Sequence, residues 1–599
     1  MNNRSTVDER TELEAGATHH RAGRLDAARI CYERVLSANP NNPQALDLLG
    51  VVHAFQGRNE DSIAVLRRAI ALAPDFPQAL NHLGLALKSQ GDIDEAIVYF
   101  RRAIAVMPDF AEARINLGNA LFERSDIEGA VASFREAVRI APQAALAHNN
   151  LGRALNSYGN HDEAKASYRN AIAIDPRHAE AHKNLGELLS EAGSYGDAAI
   201  HLRRAVEIGP ANADCEYALG VALARGPDMG ARDEAPTHFE RAETLARAAV
   251  AVDPQNPNGW QSLGNALLRL GRIEEAFTAR NRAVELIRDP NTHRFDHLST
   301  FRRASTTKLD HDIEQIQHLI ECGSIDGSTG ANMLSAYRTV RERLPAPASG
   351  SRLVTLSADD RRLIGTTYNK LWHVAPTPEL SAGAVNPALD RAAIEADYAG
   401  RAPGITWLDS LLTVEALKSL RRFCLESSVW FTDTYANGYL GAFAEDGFAC
   451  PLLLQIGREL PQRFPSIFGD HPLLKVWAFK YGDKPDGIAM HADFAAVNVN
   501  FWITPDDANL DPNSGGLVVW DKEAPPEWDF NTYNLDHRAM QQFIADSGAK
   551  AHTIPHRQNR AVIFNSDLIH RTDEIHFRPG YENRRINVTF LYGERAGRV

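Results

Sequence analysis

The fold of the N-terminal half is decided by a short stretch, Asn116-Leu117-Gly118, which recurs as Asn150-Leu151-Gly152 and Asn184-Leu185-Gly186. Its glycine belongs to a series with one member every 34 residues, at Gly16, Gly50, Gly84, Gly118, Gly152, Gly186 and Gly220. Prolines keep the same step from Pro40 to Pro210. A fixed period of this length predicts stacked pairs of antiparallel helices, because one pair cannot bury its apolar face alone.

The period, with its glycine, alanine and proline positions, resembles the tetratricopeptide repeat family. The resemblance implies an all-α solenoid of about eight repeats over residues 7–288, whose concave surface binds protein or peptide partners. Self-association through the repeats stays open. Between Gly220 and Gly264 the step lengthens to 44 residues. We therefore place a ten-residue insertion before the second helix of that unit.

Three asparagines, Asn116, Asn150 and Asn184, stand two residues before the periodic glycine. Stacked side-chain amides can donate to and accept from a peptide backbone without reading its side chains. These repeats resemble those of the O-linked N-acetylglucosamine transferases, in which an asparagine ladder holds extended protein substrates. The alternative interpretation is that asparagine is simply a frequent residue at this position of the repeat.

A second pattern lies near the C-terminal end, in Met490-His491-Ala492-Asp493-Phe494. Residues i and i+2 of a β-strand point to the same side, so His491 and Asp493 would present an imidazole and a carboxylate together. We assign the third ligand to His570, which follows the apolar run 561–564. Two histidines and one carboxylate with open coordination positions form the facial triad of non-haem Fe(II) oxygenases.

The order His-x-Asp, distal histidine and arginine resembles the Fe(II)- and 2-oxoglutarate-dependent dioxygenases. The resemblance covers residues 405–599 and implies a double-stranded β-helix, or jelly roll, with supporting helices. It implies Fe(II) as the metal, with 2-oxoglutarate and O2 as cosubstrates. Residues 289–404, which lose the 34-residue period, are interpreted as a helical connector.

The same resemblance assigns the binding of the cosubstrate. Arg585 would bind the far carboxylate of 2-oxoglutarate, with Asn587 two residues later beside it. Tyr481 is a further candidate for a hydrogen bond to 2-oxoglutarate, and an ordinary core tyrosine is the alternative. In the connector, we expect His311 and His318 at the surface of a helix.

Two features of the C-terminal part stay open at this stage. Asn498, Asn500 and Trp502 share one face of a predicted strand, but alternation does not tell whether that face meets the interior or the supporting helices. Residues 522–554 form a long insertion between the metal-binding segments, and we interpret them as a lid or substrate loop.

Composition excludes several classes of protein. A formal net charge of -13 and a pI near 5.9 argue against a general nucleic-acid binder, which needs a basic surface. Five cysteines without a CxxC pair indicate neither a disulfide framework nor a zinc site. The sequence has no apolar run that could span a membrane and no apolar leader, so we expect a cytoplasmic protein.

The functional prediction is an Fe(II)- and 2-oxoglutarate-dependent dioxygenase that hydroxylates a peptide or protein recruited by the repeats. Two alternatives remain. One is hydroxylation of a small molecule or glycan, with the repeats used for assembly. The other is a non-catalytic scaffold whose C-terminal part is only an interaction module.

Overall fold

The computed structural model describes residues 8–226, 228–292, 294–296, 298–344, 353–433, 438–482, 487–493, 495–525, 528, 530–534 and 536–594. The chain forms two compact units. The first consists mainly of the chain up to Ala192 and Asp197–Pro210. The second consists mainly of Ala211–Asp296 and the chain from Thr300 onward. No helix in the described ranges is long and apolar enough to cross a membrane.

The repeat region consists of antiparallel helix pairs, as the 34-residue period predicts. Its helices are α1 (Glu9–Arg21), α2 (Leu25–Ala38), α3 (Pro43–Phe55), α4 (Asn59–Leu72), α5 (Pro77–Gln90), α6 (Ile93–Val106), α7 (Ala111–Glu123), α8 (Ile127–Ile140), α9 (Ala145–Tyr158), α10 (His161–Ile174), α11 (Ala179–Glu191), α12 (Tyr195–Ile208), α13 (Ala213–Arg225), α14 (Met229–Arg232), α15 (Ala235–Val252), α16 (Pro257–Arg269) and α17 (Ile273–Arg288).

The periodic glycine lets the two helices of a pair approach each other closely. A Cβ added at Gly118 of α7 would stand 2.6 Å from the Phe134 ring of α8. Gly84 and Gly152 face Phe100 and Tyr168 in the same way. The large ring of the second helix therefore occupies the space that any side chain on the first helix would need.

The ten-residue insertion has a definite structure on both sides of Pro227, which lies outside the described residues. It forms the short helix α14, and it lengthens α15 to 18 residues, whereas α10 and α12 have 14. The added residues precede the core of the second helix of the pair, in agreement with the position deduced from the sequence.

The connector has its own small core. Its elements are α18 (Ser299–Arg302), β1 (Arg303–Ala304), α19 (Thr306–Glu321), α20 (Gly327–Arg343), β2 (Val354–Thr355), α21 (Ala358–Ile364) and α22 (Arg391–Gly400). Leu309 and Ile316 of α19 pack with Tyr337 and Val340 of α20. The expectation for His311 is wrong, since this side chain is buried beside the Lys308–Asp312 ion pair.

The C-terminal part is rich in β-structure. Its elements are β3 (Ile405–Leu408), α23 (Val414–Glu426), β4 (Tyr439–Phe443), α24 (Pro451–Arg463), α25 (Pro465–Phe468), β5 (Leu473–Tyr481), β6 (Ala495–Trp502), β7 (Leu517–Glu523), α26 (Phe530–Asn534), α27 (His537–Ser547), β8 (Ala551–Ile554), β9 (Ala561–Asn565), β10 (Leu568–Thr572) and β11 (Ile586–Glu594). Short 3-10 turns occur at Ala444–Asp446, Asp506–Ala508 and Tyr581–Asn583.

These strands form two antiparallel sheets, and no closed barrel is present in the described part of the chain. The six-stranded sheet has the order β3-β9-β6-β11-β5-β4, and the three-stranded sheet has the order β10-β7-β8. Trp502 and Phe564 of the larger sheet pack with Leu517 and Val519 of the smaller one. The opposite face of the larger sheet packs on α23 and α24.

Two local expectations differ from the structure. His491 and Asp493 do not belong to a regular strand, because β6 begins only at Ala495 and His491 forms an isolated antiparallel bridge with His570. Residues 522–554 are not a simple loop in their described portions. They contain α26, α27 and β8, and β8 pairs with β7 to complete the smaller sheet.

Candidate metal centre

The three predicted metal ligands lie together. His491, Asp493 and His570 each offer one ligand atom, and these atoms all lie within 4.8 Å of one another. His570 Nε2 and Asp493 Oδ2 lie 3.5 Å apart. The backbone holds this arrangement, since the N–H of His491 donates to His570 O at 2.9 Å and the N–H of His570 donates to His491 O at 2.8 Å.

Hydrogen bonds select the nitrogen of each imidazole that faces the centre. His491 Nδ1 lies 2.8 Å from Ala489 O, and His570 Nδ1 lies 3.0 Å from Leu568 O. A carbonyl only accepts, so each Nδ1 carries a proton, and in the neutral tautomer this leaves Nε2 with the lone pair that a metal would use. Burial lowers the pKa of His570 to about 4, with the adjacent His491 acting in the same direction. Its ring is therefore neutral near pH 7.

The carboxylate is held by a residue of the neighbouring strand. Asn498 of β6 donates through Nδ2 to Asp493 Oδ2 at 2.6 Å. Asn500, two residues later, donates to Thr589 Oγ1 of β11 at 3.0 Å. The Oδ1 atoms of both asparagines are buried and have no hydrogen-bond partner. The face that the sequence left undecided is thus the one toward the centre.

Arg585 is almost wholly buried, with 1% of its surface exposed. Its Nε donates to Gly515 O at 2.6 Å, and its two terminal nitrogens donate to Gly516 O at 3.2 Å and to Asn587 Oδ1 at 3.0 Å. Burial lowers the pKa of this guanidinium, whereas Tyr481 raises it. The side chain remains charged, since the ordinary pKa of arginine is very high.

A glycine pair explains how two carbonyls reach this guanidinium. Gly515 has a φ of 79°, in the left-handed region that favours glycine. A Cβ at Gly516 would lie 1.9 Å from Ile554 O, so a larger residue cannot occupy the position.

Among the described residues, no carboxylate forms an ion pair with Arg585. By contrast, Arg584 forms an ion pair with Glu314 Oε2 at 2.7 Å.

Asn587 and Tyr481 are placed differently around Arg585. Asn587 lines the cavity and also fixes the guanidinium through the hydrogen bond given above. The Tyr481 ring centroid lies 4.7 Å from the guanidinium carbon, and its hydroxyl lies 3.3 Å from Thr572 Oγ1. Tyr481 is not one of the residues found to line the cavity, so its contact is with Arg585.

One cavity joins the metal ligands to Arg585. It measures about 360 Å³ including its open mouth. Among the described residues, its polar lining is His491, Asp493, Asn498, Asn500, His570, Thr572, Arg585, Asn587 and Thr589, and its apolar lining is Trp477, Phe479, Ile488 and Leu517. The sequence left open whether Asn498 belongs to the site, and it did not reveal the Gly515-Gly516 carbonyls. For Asn498, the signal in the sequence was the alternation that places it on the same strand face as Asn500.

The donor set fits a divalent iron ion. Ligands of an octahedral ion at about 2.1 Å stand about 3 Å apart when adjacent, close to the distance between His570 and Asp493. Imidazole suits Fe, and a set of three protein ligands leaves positions for small molecules. The two orphaned asparagine oxygens are acceptors that water or another ligand at the centre would satisfy.

The three asparagines of the expected ladder each form a hydrogen bond to the preceding repeat. Asn116 donates to Asn81 Oδ1 at 2.9 Å. Asn150 donates to Asn119 Oδ1 at 3.2 Å, and Asn184 donates to Asn149 Oδ1 at 2.9 Å. Each bond joins a repeat to the one before it. The sequence analysis missed these acceptors, which lie on the first helix of the preceding pair.

Comparison with known proteins identifies the repeats. A tetratricopeptide repeat family profile matches residues 81–145, 149–213 and 237–291, and two further profiles match 55–91 and 13–42. No curated protein matches the chain. MamA is similar at 27% identity, covering 28% of this chain and 96% of its own, with a TM-score of 0.25. PilF from Pseudomonas aeruginosa is similar at 22% identity, covering 34% of this chain and 91% of its own, with a TM-score of 0.32. The chain therefore contains tetratricopeptide repeats between residues 13 and 291.

Proposed function

We propose that the C-terminal part of the chain is an Fe(II)- and 2-oxoglutarate-dependent dioxygenase that hydroxylates a peptide or protein bound by the repeats. One observation carries the proposal. A set of two histidines and one carboxylate opens into the same cavity as a buried guanidinium that has no carboxylate partner in the described residues. The first feature suits Fe(II), and the second suits a dianionic cosubstrate.

The architecture supports the same proposal. Two facing antiparallel sheets, with helices on the outer face of the larger one, are the arrangement expected of a double-stranded β-helix. His491 and His570 lie in a bridge between segments, and Arg585 immediately precedes β11. The metal ligands and the cosubstrate-binding cation would then all lie in the space between the sheets.

In this proposal each residue has a definite task. The Nε2 atoms of His491 and His570 and a carboxylate oxygen of Asp493 would hold Fe(II), and Asn498 would fix that carboxylate. Arg585 would bind the distal carboxylate of 2-oxoglutarate bidentately. When bound, the iron would supply an oxidation by O2, in which one oxygen atom enters succinate as 2-oxoglutarate loses CO2 and the other oxygen atom enters the substrate as a hydroxyl group.

The apolar side of the cavity would protect this chemistry from water. Trp477, Phe479 and Leu517 line the cavity beside the metal ligands. Apolar walls strengthen the charge-assisted contact of Arg585, because charges interact more strongly where water is excluded. The repeats support the choice of a macromolecular substrate, since stacked helical repeats offer extended surfaces for protein or peptide partners.

The test compares Asp493→Ala with Asp546→Ala in the full chain. Asp546 is an exposed carboxylate on α27, and it serves as the matched control. Succinate release from 2-oxoglutarate, with added Fe(II) and a peptide library as substrate, should vanish in the first variant and persist in the second. Thermal unfolding should be cooperative in both. Parental turnover by a folded Asp493→Ala protein would contradict the assigned iron centre.

A further inference from the structure

A second cluster of metal-binding side chains lies in the same unit, outside the cavity. His318, Cys322 and Glu426 each offer one ligand atom, and all three atoms lie within 4.8 Å of one another. His318 lies in the last turn of α19, and Cys322, four positions later, is the residue that caps the end of this helix, so both lie on the same side of it. Glu426 is the last residue of α23, more than a hundred residues further along the chain.

The backbone around Glu426 is fixed against α19. Gln315, which is buried, donates through Nε2 to Leu425 O at 3.1 Å and to Ser427 O at 2.9 Å. These carbonyls belong to the residues on either side of Glu426. The two hydrogen bonds hold the backbone on both sides of Glu426 against α19. The Glu426 carboxylate therefore extends from a fixed position beside this helix.

The ligands are also oriented by neighbouring polar groups. Ser324 Oγ lies 3.2 Å from Cys322 Sγ and 3.0 Å from Glu426 Oε2, so one hydroxyl contacts two of the three ligands. His318 Nδ1 lies 3.2 Å from Glu582 Oε1. A carboxylate at one imidazole nitrogen holds that proton and leaves the other nitrogen for a metal, the usual support of histidine ligands.

We propose that His318, Cys322 and Glu426 form a zinc site. An imidazole nitrogen, a thiolate and a carboxylate are all ordinary Zn²⁺ ligands. In a tetrahedral site with bonds of about 2.0–2.3 Å, the ligand atoms stand about 3.5 Å apart, so side-chain rotation alone can close the cluster. Cys322 is exposed, and solvent can therefore fill the fourth position. As Zn²⁺ binds, the thiol proton passes to solvent and the sulfur becomes a thiolate ligand.

The site has one competitor for its carboxylate. Arg422 Nε lies 3.2 Å from Glu426 Oε1 and 3.3 Å from Oε2. The arginine side chain is more than half exposed, and an i,i+4 pair of this kind contributes little to stability. A divalent ion with two further protein ligands should displace it.

Zinc at this position would connect three segments of the unit. It would join α19 to the end of α23, and through Glu582 it would steady the 3-10 turn Tyr581–Asn583. That turn leads directly to Arg584 and Arg585. The proposed site is independent of the proposed oxygenase activity, because none of its ligands belongs to the cavity described above.

The test uses Co²⁺ as a spectroscopic substitute for Zn²⁺ in the metal-free full chain. A thiolate bound to Co²⁺ gives an intense near-ultraviolet charge-transfer absorption, which a site of two histidines and one carboxylate cannot give. We expect this absorption to saturate when the thiolate site of each chain is filled and to disappear on adding Zn²⁺. It should remain in Asp493→Ala, which removes a ligand of the other centre.

The variants decide the assignment. Cys322→Ser should abolish the absorption, and because Cys322 is exposed the variant should fold normally. Glu582→Gln should keep the absorption while weakening Co²⁺ binding by roughly 10- to 100-fold, the usual effect of losing such support. The proposal is refuted if the parental protein shows no thiolate absorption, or if Cys322→Ser retains it.

Discussion

Replacement of Arg585 by alanine tests the proposed cosubstrate site most directly. The guanidinium is buried, and its hydrogen bonds go to Gly515 O, Gly516 O and Asn587 Oδ1. All three are uncharged acceptors. A bound 2-oxoglutarate carboxylate would be the first full negative charge to pair with this cation in the described part of the chain.

The size of the effect follows from that missing partner. A hydrogen bond to a charged group contributes about 1.5–3 kcal/mol, so Arg585→Ala should weaken 2-oxoglutarate binding by roughly 10- to 150-fold. Arg585→Lys keeps the charge but loses the planar fork, and its loss should be smaller. The alanine variant also leaves the two glycine carbonyls without a donor, although the enlarged cavity can admit water to satisfy them.

The assay is equilibrium dialysis of 2-oxoglutarate against the metal-loaded protein without O2, followed by the KM for 2-oxoglutarate in succinate release. Arg584→Ala is the matched control, because Arg584 is equally charged and nearly as buried but pairs with Glu314. This control should lose stability and keep its affinity for 2-oxoglutarate. An unchanged affinity in Arg585→Ala, with a large loss in Arg584→Ala, would reverse the assignment.

Two further predictions concern the repeats. The triple variant Asn116→Ala, Asn150→Ala and Asn184→Ala should weaken binding of an extended peptide substrate by roughly 10- to 1000-fold, at about 0.5–1.5 kcal/mol for each hydrogen bond. Peptide hydroxylation would fall and peptide-independent succinate release would persist; parental peptide hydroxylation would exclude the amides from substrate binding. Gly118→Ala should lower the free energy of unfolding, measured by chemical denaturation, by about 1–3 kcal/mol, because the new Cβ would contact the Phe134 ring. The control is Gly196→Ala, whose Cβ would meet nothing within 4 Å, and it should be neutral or slightly stabilising.

Periodicity in the sequence was enough to predict the helix pairs. The sequence shows a residue without a side chain, Gly118, followed 16 residues later by a residue with a large ring, Phe134. The same separation is repeated in neighbouring units. Such local regularity needs no knowledge of distant contacts. The strand order of the C-terminal part was not deducible in the same way, since it depends on pairings such as β6 with β11 that join residues about ninety positions apart.

The candidate metal centre shows where sequence reasoning succeeds and where it ends. The i, i+2 rule predicted that His491 and Asp493 lie together, and they do, but the cause is a bridge to His570 and not a regular strand. Alternation grouped Asn498 with Asn500 and left their direction open. The structure fixes that direction through the hydrogen bonds of Asn498 to Asp493 and of Asn500 to Thr589.

Burial of polar groups was the least predictable feature. His311 has the sequence context of a surface helix, yet Trp430 and Tyr581 from the C-terminal part pack against its ring. The cluster of His318, Cys322 and Glu426 could not be predicted either, because it also depends on contacts between distant parts of the sequence. Its cysteine has no second cysteine nearby in sequence, and its carboxylate comes from another helix.

At the asparagine positions of the repeats, an observed structural role and the proposed binding role would share one side chain. In the repeat before Asn116 the same slot holds His82, whose Nδ1 lies 2.7 Å from Asp47 Oδ1 of the preceding repeat. A bond to the previous repeat is therefore what His82, Asn116, Asn150 and Asn184 have in common. An imidazole makes that bond as well as an amide does, so joining the repeats does not by itself require asparagine. What an amide adds is a second N–H and a carbonyl oxygen on one side chain, and that pair is the feature that a peptide backbone would use.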